Sequence, residues 1–311
     1  MTLILHIGAP KTATSTLQNA FFPRHPGVLF LGKEVDGQRG WKGWRTPEIQ
    51  TLMLCLERTN LAFQPAPDLV AKIVEEVREE AGSKPVVISS EDLCAFSGID
   101  SFKKIERIRN LFGSLGTIRL VLAVREQISL LKSLYVTEHR GEMLKLPDTQ
   151  QAWYPSFDQY LDIHFRYAWG AVLESFRFAS MIDGYESLVG RENIFVYGFD
   201  DFRRDPTGTL RKMCAFMEID DKDPSLEQTA GTRENQHYSA RDYAFNRAIG
   251  SFAALQSVAA FVPAPVKKTL RQWRRGGVPF DIEPSPGAVR RITDYYRSDN
   301  DALFEKRGIR L

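Results

Sequence analysis

LILHIGAPKTATSTLQ, residues 3–18, decides how the rest of the chain reads. Residues 3–7 are apolar except for His6, the pattern of a strand buried on both faces. Gly8 ends the run, and a hydroxyl-rich segment leads into a helix expected to begin near Thr14. The first amides of a helix lack internal partners and carry the positive end of the dipole, so a strand–glycine–helix turn suits an anion. Thr14, Ser15 and Thr16 add hydroxyl donors there. His6, inside the strand, reads as a core histidine with its polar atoms satisfied.

Similar runs recur at VLFLG (28–32), VVISS (86–90), IRLVLAVR (118–125) and NIFVYGF (193–199). Helical patterns separate them, such as Asp68–Glu80 with Leu69, Ile73 and Val77 on one face. Strands alternating with helices predict an α/β three-layer sandwich around a mostly parallel sheet of about five strands. Ligands bind such sheets beyond the carboxyl ends of the strands, which places residues 8–16, Ser89–Asp92 and Arg125 at one rim. The last third reads as helical. Asp205-Pro206 marks a helix start, and residues 292–309 a closing helix. No linker interrupts the chain, so it is expected to be one domain over 1–311, a nucleotide-binding core (1–200) with extra C-terminal helices (201–311).

The 311 residues carry a net charge of +2, which gives no general attraction to nucleic acid. Cys55, Cys94 and Cys214 stand at unrelated spacings in apolar surroundings, as free buried thiols would. With no secretory leader and no apolar run of membrane-spanning length, the expected location is cytoplasmic.

The loop differs from the G-x-x-x-x-G-K-[ST] pattern of nucleoside triphosphatases, because Lys11 arrives early and Ala13 stands where the second glycine falls. The string H-I-G-A-P-K-T-A-T-S-T-L-Q instead resembles the 5′-phosphosulfate loop of the sulfotransferases that use 3′-phosphoadenosine 5′-phosphosulfate (PAPS). The resemblance implies that Lys11, Thr12, Ala13, Thr14, Ser15 and Thr16 hold the donor's 5′ end, in a P-loop-like fold. That family commonly has glycine where this chain has Ala13. A left-handed backbone would strain alanine there by roughly 1 kcal/mol, and a near-helical one would cost little.

The resemblance extends to Arg125 at a strand end with Ser133 eight residues on, the order and spacing of the family's 3′-phosphate pair. A guanidinium grips phosphate through paired hydrogen bonds, and the serine adds one donor. Arg233 in GTRENQ is a further candidate for this end of the nucleotide. Transfer to an alcohol or amine requires loss of a proton, and a positioned carboxylate or histidine supplies that step. Glycan-type members of the family carry a glutamate near the end of the strand that VVISS (86–90) forms here, which implies Glu91 as base, with Asp92 next; His139 and His237 are alternatives. Lys11 would stabilise charge on the departing phosphate oxygen. No metal is called for, and no cluster of metal-ligand spacing is present.

For the acceptor, Trp41 and Trp44 alternate with Arg39, Lys42 and Arg45, and Trp153 lies in a second irregular stretch. Both suit a carbohydrate or glycolipid. The run PVKKTLRQWRR gives a basic segment over 266–275 able to rest on the inner face of an anionic membrane, or to form a solvated helix face. Two other readings are a P-loop kinase-like phosphoryl transferase and a non-catalytic relative that binds nucleotide or glycan.

Overall fold

The computed structural model describes residues 1–32, 34–35, 42–57, 64–94, 100–137, 155–166, 172–232, 239–241, 243–245, 266, 269–270, 273, 278 and 280–311. The chain divides into two compact units. The first comprises Met1–Arg125, Trp169–Glu234 and Tyr296–Leu311; the second comprises Glu126–Ala168 and Asn235–Tyr295.

The first unit is built on the five strands expected. They are β1 (Thr2–Gly8), β2 (Leu29–Phe30), β5 (Val86–Ser89), β6 (Thr117–Val124) and β7 (Ile194–Gly198); β3 (Glu34–Val35) and β4 (Lys42–Gly43) form a separate antiparallel pair. The sheet order is β2-β5-β1-β6-β7, with every neighbouring pair parallel. Leu3, Ile4, Leu5 and Ile7 of the central strand are all fully buried, as a continuous apolar run requires.

One face of the sheet, carrying Ile4, Val87, Val121, Ala123 and Tyr197, packs on Leu17 and Phe21 just after the first loop. Phe202, Leu210 and Met213 complete that layer from the helices Phe199–Arg204 and Pro206–Met217. Asp205 caps the second of these, accepting from Gly208 N at 2.8 Å, with Pro206 in its first turn. After the short helix α1 (Thr14–Thr16), helix α2 (Pro47–Leu56), helix α3 (Pro67–Ala81) and helix α4 (Asp100–Phe112) cross between strands. The buried face of α3 holds Val70, Ile73, Val74, Val77 and Ala81, while Leu69 is half-buried at its edge.

The closing helix Pro286–Arg307 does more than cover the unit. Its Asp299, 4 % exposed, accepts from Ala179 N (2.9 Å), Ser180 N (3.0 Å) and Ser180 Oγ (2.6 Å). A buried carboxylate far along the chain thus caps the helix Phe178–Val189.

In the second unit, Glu126 caps the helix Gln127–Thr137, accepting from Ile128 N and Ser129 N at 2.8 and 2.7 Å. Tyr135 packs edge-on against Phe157 and Tyr160 of the helix Phe157–Arg166 and donates to Pro155 O at 2.6 Å.

The sheet order also locates a site. The chain leaves β1 toward β2 on one side and leaves β6 toward β7 on the other. These neighbours are therefore the switch point of the sheet, and the crevice beyond their carboxyl ends is the favoured place for a ligand.

Candidate active site

Gly8 closes β1 at φ 151°, paired with Ala123 of β6. A Cβ there would lie 2.9 Å from both Ala123 N and Ala123 O, so only glycine lets the two backbones meet. The loop that follows is folded by its own side chain. Thr12, fully buried, donates its hydroxyl to Ala9 O at 2.6 Å. Lys11 and Ala13 both take left-handed backbone, φ 65° and 64°, while Thr12 between them does not. This alternation of hand turns successive amides toward one side, the geometry of an anion-binding nest.

Ala13 also receives the first helical hydrogen bond, from Thr16 N at 2.9 Å, as the chain enters the turn Thr14–Thr16 and the π-helical turn Leu17–Phe21. The question raised by its alanine is thereby answered: the position is left-handed, and a Cβ there costs roughly 1 kcal/mol relative to glycine. Its methyl, however, is buried in the core with Leu17 and Phe21, and one buried methyl contributes about 0.8 kcal/mol. The two terms nearly cancel. Ala13→Gly is therefore expected to leave thermal stability within about 1 kcal/mol of the parent. Ala13→Val, β-branched at positive φ, should lose about 2 kcal/mol or more by denaturant unfolding.

The loop reaches the end of β5 where Thr14 Oγ1 donates to Glu91 Oε1. Glu91 opens the 3₁₀ turn Glu91–Leu93 directly after the strand. Its register is set by Ser90 N bonding to His6 O at 3.1 Å and by Cys94 N bonding to Glu91 O at 3.0 Å. Asp92 is exposed in the same turn. Gln18, buried one turn beyond the loop, donates to Ser89 Oγ at 3.1 Å.

Beneath this contact lies a buried polar chain. His6 meets Ser89 Oγ through Nδ1 at 2.6 Å and the Tyr197 hydroxyl through Nε2 at 3.3 Å. Burial pushes the imidazole down to about 3, so it is neutral near neutral pH, the core histidine that its strand position implied. The Tyr197 phenol is held above its ordinary range, by burial first and then by the nearby Glu91 charge. Tyr197 and Gln18 belong to this cluster, and no sequence motif marks either of them.

Arg125 ends the third side. Its guanidinium donates to Lys11 O at 2.6 Å and lies 4.5 Å above the Phe199 ring. The structure therefore brings together Lys11, Thr12, Ala13, Thr14, Ser15, Thr16, Glu91 and Arg125 within the first unit, beyond the ends of β1, β5 and β6. Ser133 is half-buried on the helix Gln127–Thr137 of the second unit. Trp44 is half-buried; its neighbour Arg45 pairs with Glu80 of α3. Trp41, His139, Trp153, Arg233 and His237 lie outside the described residues. Cys55, Cys94 and Cys214 are free thiols, the last two buried. Among the described residues no three metal-ligating side chains gather, and no helix is long and apolar enough to cross a membrane.

Neither a family model nor a curated protein matches the sequence. Solved structures match its fold. A sulfotransferase from Alicyclobacillus acidocaldarius superposes with a TM-score of 0.55 at 17 % identity, over 99 % of this chain and 96 % of that one. The sulfotransferase domain of the Synechococcus PCC 7002 olefin synthase gives 0.48 at 13 % identity, covering 96 % and 94 %. The sulfotransferase domain from the curacin biosynthetic pathway gives 0.47 at 14 %, covering 94 % and 97 %. The first of these carries the fold assignment: the chain has the sulfotransferase fold.

Proposed function

We propose that the chain is a PAPS-dependent sulfotransferase whose acceptor is the hydroxyl or amine of a carbohydrate or glycolipid. The observation that carries the reading is the Thr14–Glu91 contact, which joins an anion-shaped loop at the switch point of the sheet to a carboxylate just beyond the end of the neighbouring strand β5. The residues present fit the donor. Gly8 admits no side chain, the backbone of residues 11–13 alternates in hand, and Thr14 presents a hydroxyl where a 5′-phosphosulfate would sit.

The donor supplies the sulfonyl group: the acceptor oxygen or nitrogen bonds to sulfur as the sulfur–oxygen bond to the 5′-phosphate breaks, its electron pair staying on the phosphate. Glu91 takes the proton of the acceptor. Lys11 offsets the charge that gathers on the leaving oxygen. Arg125, already anchored to the loop by Lys11 O, supplies the guanidinium for the 3′-phosphate, with Ser133 and Arg233 as further donors to the nucleotide.

A carboxylate base is favoured over histidine because the first unit's described histidines are committed elsewhere. His6 is sealed beneath the site, and His25 Nε2 bonds Asp220 O at 2.8 Å. A glycan acceptor would draw on the tryptophan-bearing stretches about Trp41, Trp44 and Trp153, with His139 as a further candidate residue. Val266 and Trp273, each 52 % exposed within the basic run, would suit peripheral contact with the anionic inner face of a membrane, and the place of action proposed is cytoplasmic.

Thermal unfolding with adenosine 3′,5′-bisphosphate, the donor's product, tests the reading against ATP–magnesium. At about 100 times its dissociation constant the bisphosphate should add about 2.7 kcal/mol. Stabilisation by ATP–magnesium alone would return the loop to phosphoryl transfer and overturn the proposal.

A further inference from the structure

Glu91 stands on a three-residue turn, and a base serves only where its carboxylate is held still. What holds this turn comes from behind it. Helix α4 buries a stripe of polar residues three apart: Ser101 (0 % exposed), Lys104 (3 %) and Arg107 (7 %). Arg107 reaches Cys55 O at 3.1 Å, an acceptor in the last turn of α2. Lys104 reaches Asp92 O at 2.7 Å, the backbone acceptor directly after Glu91. Glu57, which caps α2, accepts from Ser90 Oγ at 2.6 Å, the hydroxyl directly before Glu91.

A lysine is seldom buried to this degree without a task for its ammonium. Burial pushes Lys104 below the ordinary lysine range, and the charges of Asp92 and Glu57 oppose that loss. Nothing in the sulfonyl-transfer scheme uses this side chain.

We propose that Lys104 is a positioning residue for Glu91, clamping the Glu91–Leu93 turn through the Asp92 carbonyl so that the carboxylate faces the loop at Thr14. This rests on Glu91 being the base. The clamp acts on backbone orientation: with the Glu91 carbonyl taken by Cys94 N and the Asp92 carbonyl by Lys104, both peptide planes flanking Asp92 are fixed. Displacement of a catalytic group by about 1 Å can cost on the order of 10²-fold in rate.

The test is Lys104→Met, which keeps the length and apolar stem of lysine and removes the donor. Amide hydrogen exchange should quicken across 90–94 and stay unchanged across 8–16. Sulfonyl transfer should slow by about 10²-fold while affinity for adenosine 3′,5′-bisphosphate is retained. Propylammonium should restore rate to Lys104→Ala by refilling the clamp. Wild-type turnover in Lys104→Met, or loss of nucleotide affinity and melting temperature in step with rate, would overturn the assignment. If the parent chain transfers no sulfonyl group, or Glu91→Gln keeps full turnover, the functional reading falls instead; unchanged exchange at 90–94 in Lys104→Met still overturns the clamp.

Discussion

Lys11→Ala should lower the rate of sulfonyl transfer by about 10²–10³-fold, the usual cost of removing one preorganised donor to developing charge. Lys11 sits at φ 65° on a loop folded by Thr12 and anchored by Arg125, so its ammonium begins from a fixed backbone. The charge it meets exists mainly in the transition state, as the bond to sulfur breaks. Single-turnover rates should therefore fall much further than affinity for the bisphosphate product. Equal losses in rate and in product affinity would make Lys11 a ground-state binding residue.

Glu91→Gln should cost about 10²–10⁴-fold in the same assay, the range for a general base in a group transfer. The amide keeps shape and can still accept from Thr14, but it cannot receive the acceptor's proton. Nucleotide binding should persist, and calorimetry with adenosine 3′,5′-bisphosphate is expected to show it tightened. The substitution removes one negative charge from the mouth of an anion loop and weakens the competing hold on the Thr14 hydroxyl. Looser nucleotide binding in Glu91→Gln would show that the carboxylate orders the loop for its ligand, and turnover at the parent rate would exclude it as the base.

The five sheet strands were legible because each is a nearly unbroken apolar run. A strand buried on both faces has no polar side to disguise it, and all five runs appear as strands. Their order was not legible. The placement of β1 between β5 and β6 depends on which crossovers the helices make, and local sequence carries no record of that. The same division holds at the first loop. Its residue types announced an anion turn, yet the hand of Ala13 stayed open until the loop was seen folded on Thr12 and Ala9, with Gly8 against β6.

Contacts between distant residues were the least legible. Asp299 looks like any acidic residue of a charged helix until it is found capping residues 119 and 120 positions earlier. Nothing local in KKIER of α4 marks Lys104, which is buried against the turn that carries Glu91. From its sequence alone this protein is a parallel α/β chain with a donor-shaped loop, a strand-end arginine and a strand-end glutamate, because hydrophobic run length and residue chemistry are local properties. Only the tertiary structure decides that Thr14 meets Glu91, that Arg125 holds the loop, and that a buried lysine stands behind the turn that carries Glu91. Such contacts depend on which segments the assembled sheet brings within hydrogen-bond reach, and strand order sets that.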